Sequence, residues 1–286
     1  MQPEWSFYDP VAQTYRRLAV PNVFAPHAGR LVELLAPAQR SRVLDVGAGT
    51  GAAALAAQQA AGPTGLVIAL DASQGMLIEA RGAGLHHLVQ GVVPGLPFPD
   101  AGFDVVISCF VLSHCASCEA SLADMVRVLG PGGKLGVACW DAEPDEPSRV
   151  WTETADRFTD KQTLQAALRQ ALPWEDLLAE PSNLEALLRQ AGLAGVRVEG
   201  SVHTAAVTVA DFVAMRALSF QGRFLQQSPA AWEEFRETVT AGLHSRFGEP
   251  LHYTRKAWLA TGTASTLRQE RARGHCRSQR RQPRGG

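Results

Sequence analysis

Nine residues, Val43 to Gly51 (VLDVGAGTG), constrain this chain more than any other stretch. A short apolar strand runs into a glycine-rich turn and then into the alanine-rich segment Gly51–Ala61. That order leaves backbone N–H groups and the positive end of a helix facing a bound ligand. A second apolar run, Leu66–Leu70, ends on Asp71, where a carboxylate can accept from both hydroxyls of a ribose. The glycines fall at 47, 49 and 51, a GxGxG pattern, whereas dinucleotide-binding turns read GxGxxG. The turn therefore points to a nucleoside ligand without naming it. Asp71 has a plainer reading too, as a cap on the helix that follows.

Strand and helix signals alternate from about residue 30 to 200, which predicts a mostly parallel sheet covered on both faces. Predicted helices lie at Ala28–Leu35, Gly51–Ala61, Ser73–Arg81 and Ala120–Leu129, the last stopped by Gly130-Pro131-Gly132-Gly133. Predicted strands lie at Arg42–Val46, Leu66–Leu70, His87–Gln90, Asp104–Cys109 and Lys134–Cys139. Past Trp140 the pattern becomes helical, near Val150–Phe158, Lys161–Leu172 and Asn183–Ala191. A long strand, Val196–Val209, precedes a helix capped by Thr208 with Asp211, then a helix from Ser228-Pro229 to Phe247. Leu251–Ala260 is the last strand, antiparallel to its predecessor at one edge.

With 286 residues, 46% of them hydrophobic, the chain can bury one sizeable core. A net charge of −1 and a pI near 6.7 exclude an overall basic field for nucleic acid or an anionic membrane. No run approaches the roughly 18 apolar residues of a membrane span, and Met1-Gln2-Pro3-Glu4 opens neither a signal nor a transit peptide. A soluble, cytoplasmic protein is expected, with Cys109, Cys115, Cys118, Cys139 and Cys276 as reduced thiols. Cys115 and Cys118 form a CxxC, but no second ligand pair at zinc-like spacing accompanies it, and no metal site is expected. From residue 262 the chain carries seven arginines against one glutamate and reads as a basic, disordered tail.

Five segments in order resemble one family, the class I S-adenosylmethionine-dependent methyltransferases, and within it the small-molecule group of the ubiquinone/menaquinone-biosynthesis type. They are YDPVAQTY (Tyr8–Tyr15), VLDVGAGTG (Val43–Gly51), VIALDASQGML (Val67–Leu77), LPFPDAGFDVVIS (Leu96–Ser108) and RVLGPGGKL (Arg127–Leu135). The resemblance implies an α/β fold: a doubly wound seven-stranded sheet in the order 3-2-1-4-5-7-6 with the last strand antiparallel and helical lid insertions. It implies a domain over 1–261, with a cofactor-binding half at 28–140 and substrate-covering insertions at 141–191 and 211–248.

Carried over residue by residue, the resemblance implies that Gly47, Ala48 and Gly49 line the methionine part of S-adenosyl-L-methionine, a side chain on either glycine taking ligand space. Asp45 faces the turn or the cofactor's amino group, Asp71 takes the ribose hydroxyls, and Ala72 and Met76 pack on the adenine. The backbone around Cys109 meets the methionine amino group, and Tyr8 belongs to an N-terminal lid. The chain departs from the family at Val92 and Val93, where an acid often follows the equivalent of Gly91. That removes one charge-assisted hydrogen bond, worth about 1.5–3 kcal/mol, although the Val93 N–H can still serve a ring nitrogen.

His114, just past the fourth strand, is the candidate catalytic residue, as a base or a substrate-orienting group. Trp140, Trp151, Trp174, Phe212, Met215, Phe220 and Phe224 form either an apolar substrate chamber or ordinary helix packing. The function so implied is methyl transfer to a small, fairly apolar molecule by a monomer or homodimer, with no nucleic-acid or membrane partner. A non-catalytic S-adenosylmethionine-binding protein and a nicotinamide-dependent oxidoreductase are the alternatives.

Overall fold

The computed structural model describes residues 4–265. Seven strands form one sheet in the order β3-β2-β1-β4-β5-β7-β6. They are β1 (Arg42–Val46), β2 (Leu66–Asp71), β3 (Leu88–Gln90), β4 (Phe103–Cys109), β5 (Leu129–Trp140), β6 (Leu193–Val207) and β7 (Leu251–Ala264). The pairs among β1 to β5 are parallel, and β7 runs antiparallel to both β5 and β6. The expected strand order and its antiparallel last strand are both present.

A helical run covers the N-terminal segment, in a tight 3-10 winding over Glu4–Val11, one α turn α1 (Ala12–Thr14), a wide π winding over Tyr15–Phe24, and α2 (Ala25–Leu35). The helices α3 (Ala52–Ala61), α4 (Gln74–Gly82) and α5 (Cys118–Val128) are the crossovers of the parallel sheet. Ser73 and Ser117 cap the last two by accepting from the amides of Met76 and Ala120. Beyond β5 come α6 (Glu146–Phe158), α7 (Lys161–Ala171), α8 (Glu175–Leu178) and α9 (Pro181–Gln190). Between β6 and β7 stand α10 (Val209–Ala217), α11 (Phe220–Leu225) and α12 (Pro229–Phe247). Thr208 caps α10 on the Asp211 amide as expected, but Ser228 makes no side-chain cap bond to α12.

Two boundaries differ from expectation. The Gly130–Gly133 turn does end a helix, at Val128, but it lies inside β5, where pairing with β4 slips between Phe103↔Leu129 and Val105↔Lys134. The last strand continues to Ala264, because Gly262 and Thr263 pair with Leu135 and Lys134 and carry the ladder into the segment read as tail. The arginine-rich stretch from 266 lies outside the described residues.

Hydrophobic cores flank both sheet faces, one under α5 and α9, the other under α2 and α3. A third arises because β6 and β7 outrun the sheet. β5 leaves β7 at the Trp140↔Ala257 pair, while β6 and β7 stay paired to Val207↔Leu251. One face of this ribbon, with Ala205, Val207, Leu251 and Tyr253, packs against Trp151, Phe212, Phe235 and Val239 from α6, α10 and α12. The helical insertions thus have a core of their own above the carboxyl ends of β1, β4 and β5. Ligands of open α/β sheets bind at that edge.

Candidate functional site

The glycine turn after β1 is clamped by main-chain bonds. The amides of Gly47 and Ala48 both donate to the Leu70 carbonyl, at 2.8 and 2.9 Å. Gly47 and Gly49 adopt left-handed φ of 70° and 55°, which glycine alone takes cheaply. Their free sides differ, contrary to expectation. A Cβ on Gly47 would lie 2.3 Å from Cγ2 of Val111, so that glycine is required by protein packing, whereas a Cβ on Gly49 meets nothing within 4 Å and projects into open space.

Asp71, at the tip of β2, accepts from the Gly49 amide through Oδ2 at 2.7 Å and from the Ser73 amide through Oδ1 at 2.8 Å. The cap reading holds in part: the carboxylate steadies the approach to α4, while Ser73 supplies the cap itself. Burial raises the Asp71 pKa against the pull of the Ser73, Gly49 and Ala72 amides. Each oxygen keeps a lone pair for a further donor.

Asp45 and Thr50 are buried beside this turn, and neither oxygen of the Asp45 carboxyl nor the Thr50 hydroxyl has a hydrogen-bond partner. Burial pushes the Asp45 pKa up to about 7, with the Ala54 amide easing it and the Asp71 charge adding to it. An orphaned buried acid is costly unless a cation or donor reaches it. It lines the same small cavity as Gly47, Ala48, Gly49, Thr50 and Cys109. An ammonium group is the complement this lining lacks, and the α-amino group of S-adenosylmethionine fits that need.

The cavity encloses about 50 Å³, enough for a few waters, because Tyr15, Phe24 and Phe110 close its other side. Above it the N-terminal winding is pinned by Asp9, whose Oδ1 accepts from the Ser73 hydroxyl at 2.6 Å and the Gly75 amide at 2.8 Å. Tyr8 lies under this strap, 6.2 Å from the Tyr15 ring and 6.4 Å from the His114 ring. Burial pushes its phenol up to about 12, with Arg223 opposing and the carboxylates of Asp71 and Glu175 adding.

The other expected adenine contacts are spread out. Met76 is buried on α4, and the Ala72 carbonyl accepts from Gln90 Nε2 at 3.0 Å. Val92 is exposed, while Val93 packs against the core under α5. Cys109 closes β4 beside the cavity, its thiol pKa pushed well up by burial. His114 is enclosed by Tyr8 and by Phe220, 5.5 Å away, and burial, with Arg223 second, lowers its pKa to about 4. It is neutral at ordinary pH and able to accept a proton only weakly.

Of the aromatic residues, Trp151 and Phe212 are fully buried in the third core and Trp174 donates to the Cys115 carbonyl at 2.8 Å, so packing is the correct reading for these three. Trp140 stacks on Phe110, which lines the cavity, and Phe220 packs against His114. Sequence reasoning missed Thr50, Tyr15, Phe110 and Glu175. Phe110 holds φ 61°, costly for a bulky side chain, and stacks on Trp140 at 3.8 Å. Glu175 hydrogen-bonds Ser113 and has its pKa raised by burial. Thr50 and Tyr15 fall inside the VLDVGAGTG and YDPVAQTY segments, whereas no short motif carries Phe110 or Glu175, which the loop after β4 and α8 deliver.

Residues 44–137 match a family model described as a methyltransferase domain. The ubiquinone/menaquinone biosynthesis C-methyltransferase UbiE of Pseudomonas putida is 38% identical over 111 residues, 36% of this chain and 43% of that protein. The enzyme of the same name from Cupriavidus metallidurans is 36% identical over 141 residues, 46% and 51% of the two chains. The chain thus matches about half or less of these relatives' length. A protein of Anabaena variabilis described as a methyltransferase from an antibiotic biosynthesis pathway superposes with a TM-score of 0.59 at 21% identity, covering 85% of this chain and 98% of that one. Phosphoethanolamine N-methyltransferase 2 of Haemonchus contortus, solved with S-adenosylhomocysteine, gives 0.56 at 18% identity over 93% and 61%. The strand order and the glycine turn thus agree with a segment, residues 44–137, that is similar to methyltransferase domains.

Proposed function

We propose that the chain is an S-adenosylmethionine-dependent methyltransferase acting on a small, fairly apolar molecule. The observation that carries this reading is the pair of acids on one turn: Asp71 bonded to the Gly49 amide, and Asp45 orphaned in the cavity behind it. Asp71 holds the ribose, Asp45 with Thr50 and the Cys109 backbone holds the methionine amino group, and Gly47, Ala48 and Gly49 give the main chain close approach. Ala72, Met76, Val92 and Val93 bound the adenine. S-adenosylmethionine supplies, when bound, a methyl group on a sulfonium leaving group, so transfer needs an acceptor held in line in a dry site more than it needs acid–base catalysis.

The chain's own residues meet those two needs. Tyr8 and Tyr15 exclude water from above, and the Asp9 strap releases to admit a ligand larger than the present cavity. Neutral His114, walled by Tyr8 and Phe220, orients the acceptor. Residues 28–140 form the cofactor half, 141–191 and 211–248 the acceptor cover, and 262–286 a basic tail whose first residues extend β7. Among the described residues no helix is long and apolar enough to cross a membrane. Four of the cysteines are free. Free thiols agree with a cytoplasmic location, which the proposal includes together with a monomeric or homodimeric state.

Calorimetry with S-adenosylhomocysteine and with NAD, followed by incubation with labelled cofactor and a metabolite panel against an Asp71→Ala control, tests the reading. Binding of S-adenosylhomocysteine with Asp71-dependent label transfer supports it. Preferential NAD binding would make the chain an oxidoreductase, and cofactor binding without transfer to any acceptor would make it a non-catalytic binding protein.

A further inference from the structure

Past Trp140, where β6 and β7 outrun the sheet, positive and neutral nitrogen groups gather without an acid to pair with. Arg255 on β7 lies over the Trp140 ring at 4.1 Å, and its buried Nε has no hydrogen-bond partner. His203 is its cross-strand neighbour on β6. The His203 ring stands 6.4 Å from that of His27, which is fully buried on α2 and 5.9 Å from Trp140. His27 Nδ1 is engaged by the Ser201 hydroxyl at 2.8 Å, while its buried Nε2 has no partner. When the serine donates to Nδ1, Nε2 carries the proton and is a donor.

A second guanidinium, Arg216 on α10, approaches from the helical side. It stacks on Trp151 at 5.4 Å and binds the neutral Gln221 Oε1 at 3.1 Å, and its buried Nε is likewise without a partner. Arg216 and Arg255 repel one another, and burial, with His203 and then Arg255 adding, holds His27 in its neutral form. The Tyr253 hydroxyl hydrogen-bonds Arg216, and the carboxylates act at a distance: Glu175 on Arg255 and Asp145 on Arg216. Neither forms an ion pair with these arginines among the described residues. Guanidinium groups taken out of water without a counter-charge are costly, and an oxyanion with two acceptors is their natural complement.

We propose that Arg255 and His27 Nε2 receive the carboxylate of an organic-acid acceptor, with Arg216 adding positive field, so that the methylated molecule is an anion with an apolar body. The inference rests on the methyltransferase reading. Trp140 carries both Arg255 and Phe110, and Phe110 lines the cofactor cavity. An acid seated at Arg255 is therefore separated from the cavity by aromatic wall. The carboxylate is a handle, and the atom that accepts the methyl group belongs to the other end of the molecule.

The test uses the full chain loaded with S-adenosylhomocysteine, titrated calorimetrically at about pH 7.5, where carboxylates are ionised. The probes are 4-hydroxycinnamate and its neutral amide, with a panel of other aryl and alkyl acids beside their amides. The acid should bind about tenfold or more tightly than its amide, one charge-assisted contact's worth. Arg255→Gln should erase the preference and Arg255→Lys keep part of it, with cofactor affinity unchanged. Added salt should weaken acid but not amide binding, which decides the matter if Arg255→Gln does not fold. Equal affinities, a preference that survives in Arg255→Gln, or no binding by any acid overturns the proposal alone when S-adenosylhomocysteine binds. A chain that takes no S-adenosylhomocysteine overturns it together with the methyltransferase reading.

Discussion

The carboxylate of Asp71 and the amide of Gly49 are joined at 2.7 Å, tying the end of β2 to the turn after β1. The acid expected to hold a ribose is thus also the group that shapes the turn beneath it. Loss of Asp71 should act twice. Asp71→Ala should lower the melting temperature by the equivalent of about 1.5–3 kcal/mol, the range for a hydrogen bond to a charged group, and should weaken S-adenosylhomocysteine at least tenfold in calorimetry. A variant that melts lower yet binds normally would leave Asp71 a structural residue only.

Gly47 and Gly49 should respond differently to alanine. Both pay a left-handed backbone cost of about 1–2 kcal/mol. Gly47→Ala adds a collision with Val111 and should be the more destabilised in thermal melts. Gly49→Ala meets open space, so its main loss should be cofactor affinity. Equal melting temperatures would contradict the packing difference.

The Asp45 carboxyl gives a pH signature. Its pKa is about 7 when folded against a reference value of 3.8. Because the folded value is the higher, stability is full below about pH 4, declines as pH rises to about 7 and is level above. Asp45→Asn, which cannot ionise, should be more stable than the wild type at about pH 8, by up to about 4 kcal/mol, and equal to it near pH 4. Melting both proteins across that range decides it; a gap that does not change with pH would refute the assignment.

His114, with its pKa lowered to about 4, should show no ring-proton shift in NMR between about pH 8 and pH 5.5. A titration centred near the ordinary histidine value would mean that the Tyr8–Phe220 enclosure opens in solution.

Arg127 binds the carbonyls of Phe98 and Leu96, at 2.8 and 3.0 Å, and the carboxylates of Asp100 and Asp124. Asp124 in turn accepts from the amides of Gly95 and Leu96. Arg127→Met should cost roughly 1–3 kcal/mol in denaturant unfolding, since two part-buried carbonyls and two carboxylates lose their donor together. Cofactor affinity should change little, because the knot lies outside the cavity.

That knot shows why much of this protein was legible in its sequence. LPFPD and RVLG mark one object seen from two ends, and the glycines, Asp71 and the strand periods are local signals that short-range physics writes directly into residue order. Such signals single out Asp45, Gly47, Gly49 and Asp71, which the fold gathers at one turn, whereas the packing of Val111 beside Gly47 is hidden because the two lie 64 positions apart in the chain. Residue order alone determined the parallel sheet, the glycine turn, the helix cap at Thr208, and the acid beyond β2. Tertiary structure decided that β6 and β7 overrun the sheet to form a third core, that Phe110 and Trp140 stack, and that Arg255 and His27 meet at Trp140. Those contacts join residues from distant elements, and their energies depend on burial and on which charges meet, neither of which any local pattern encodes.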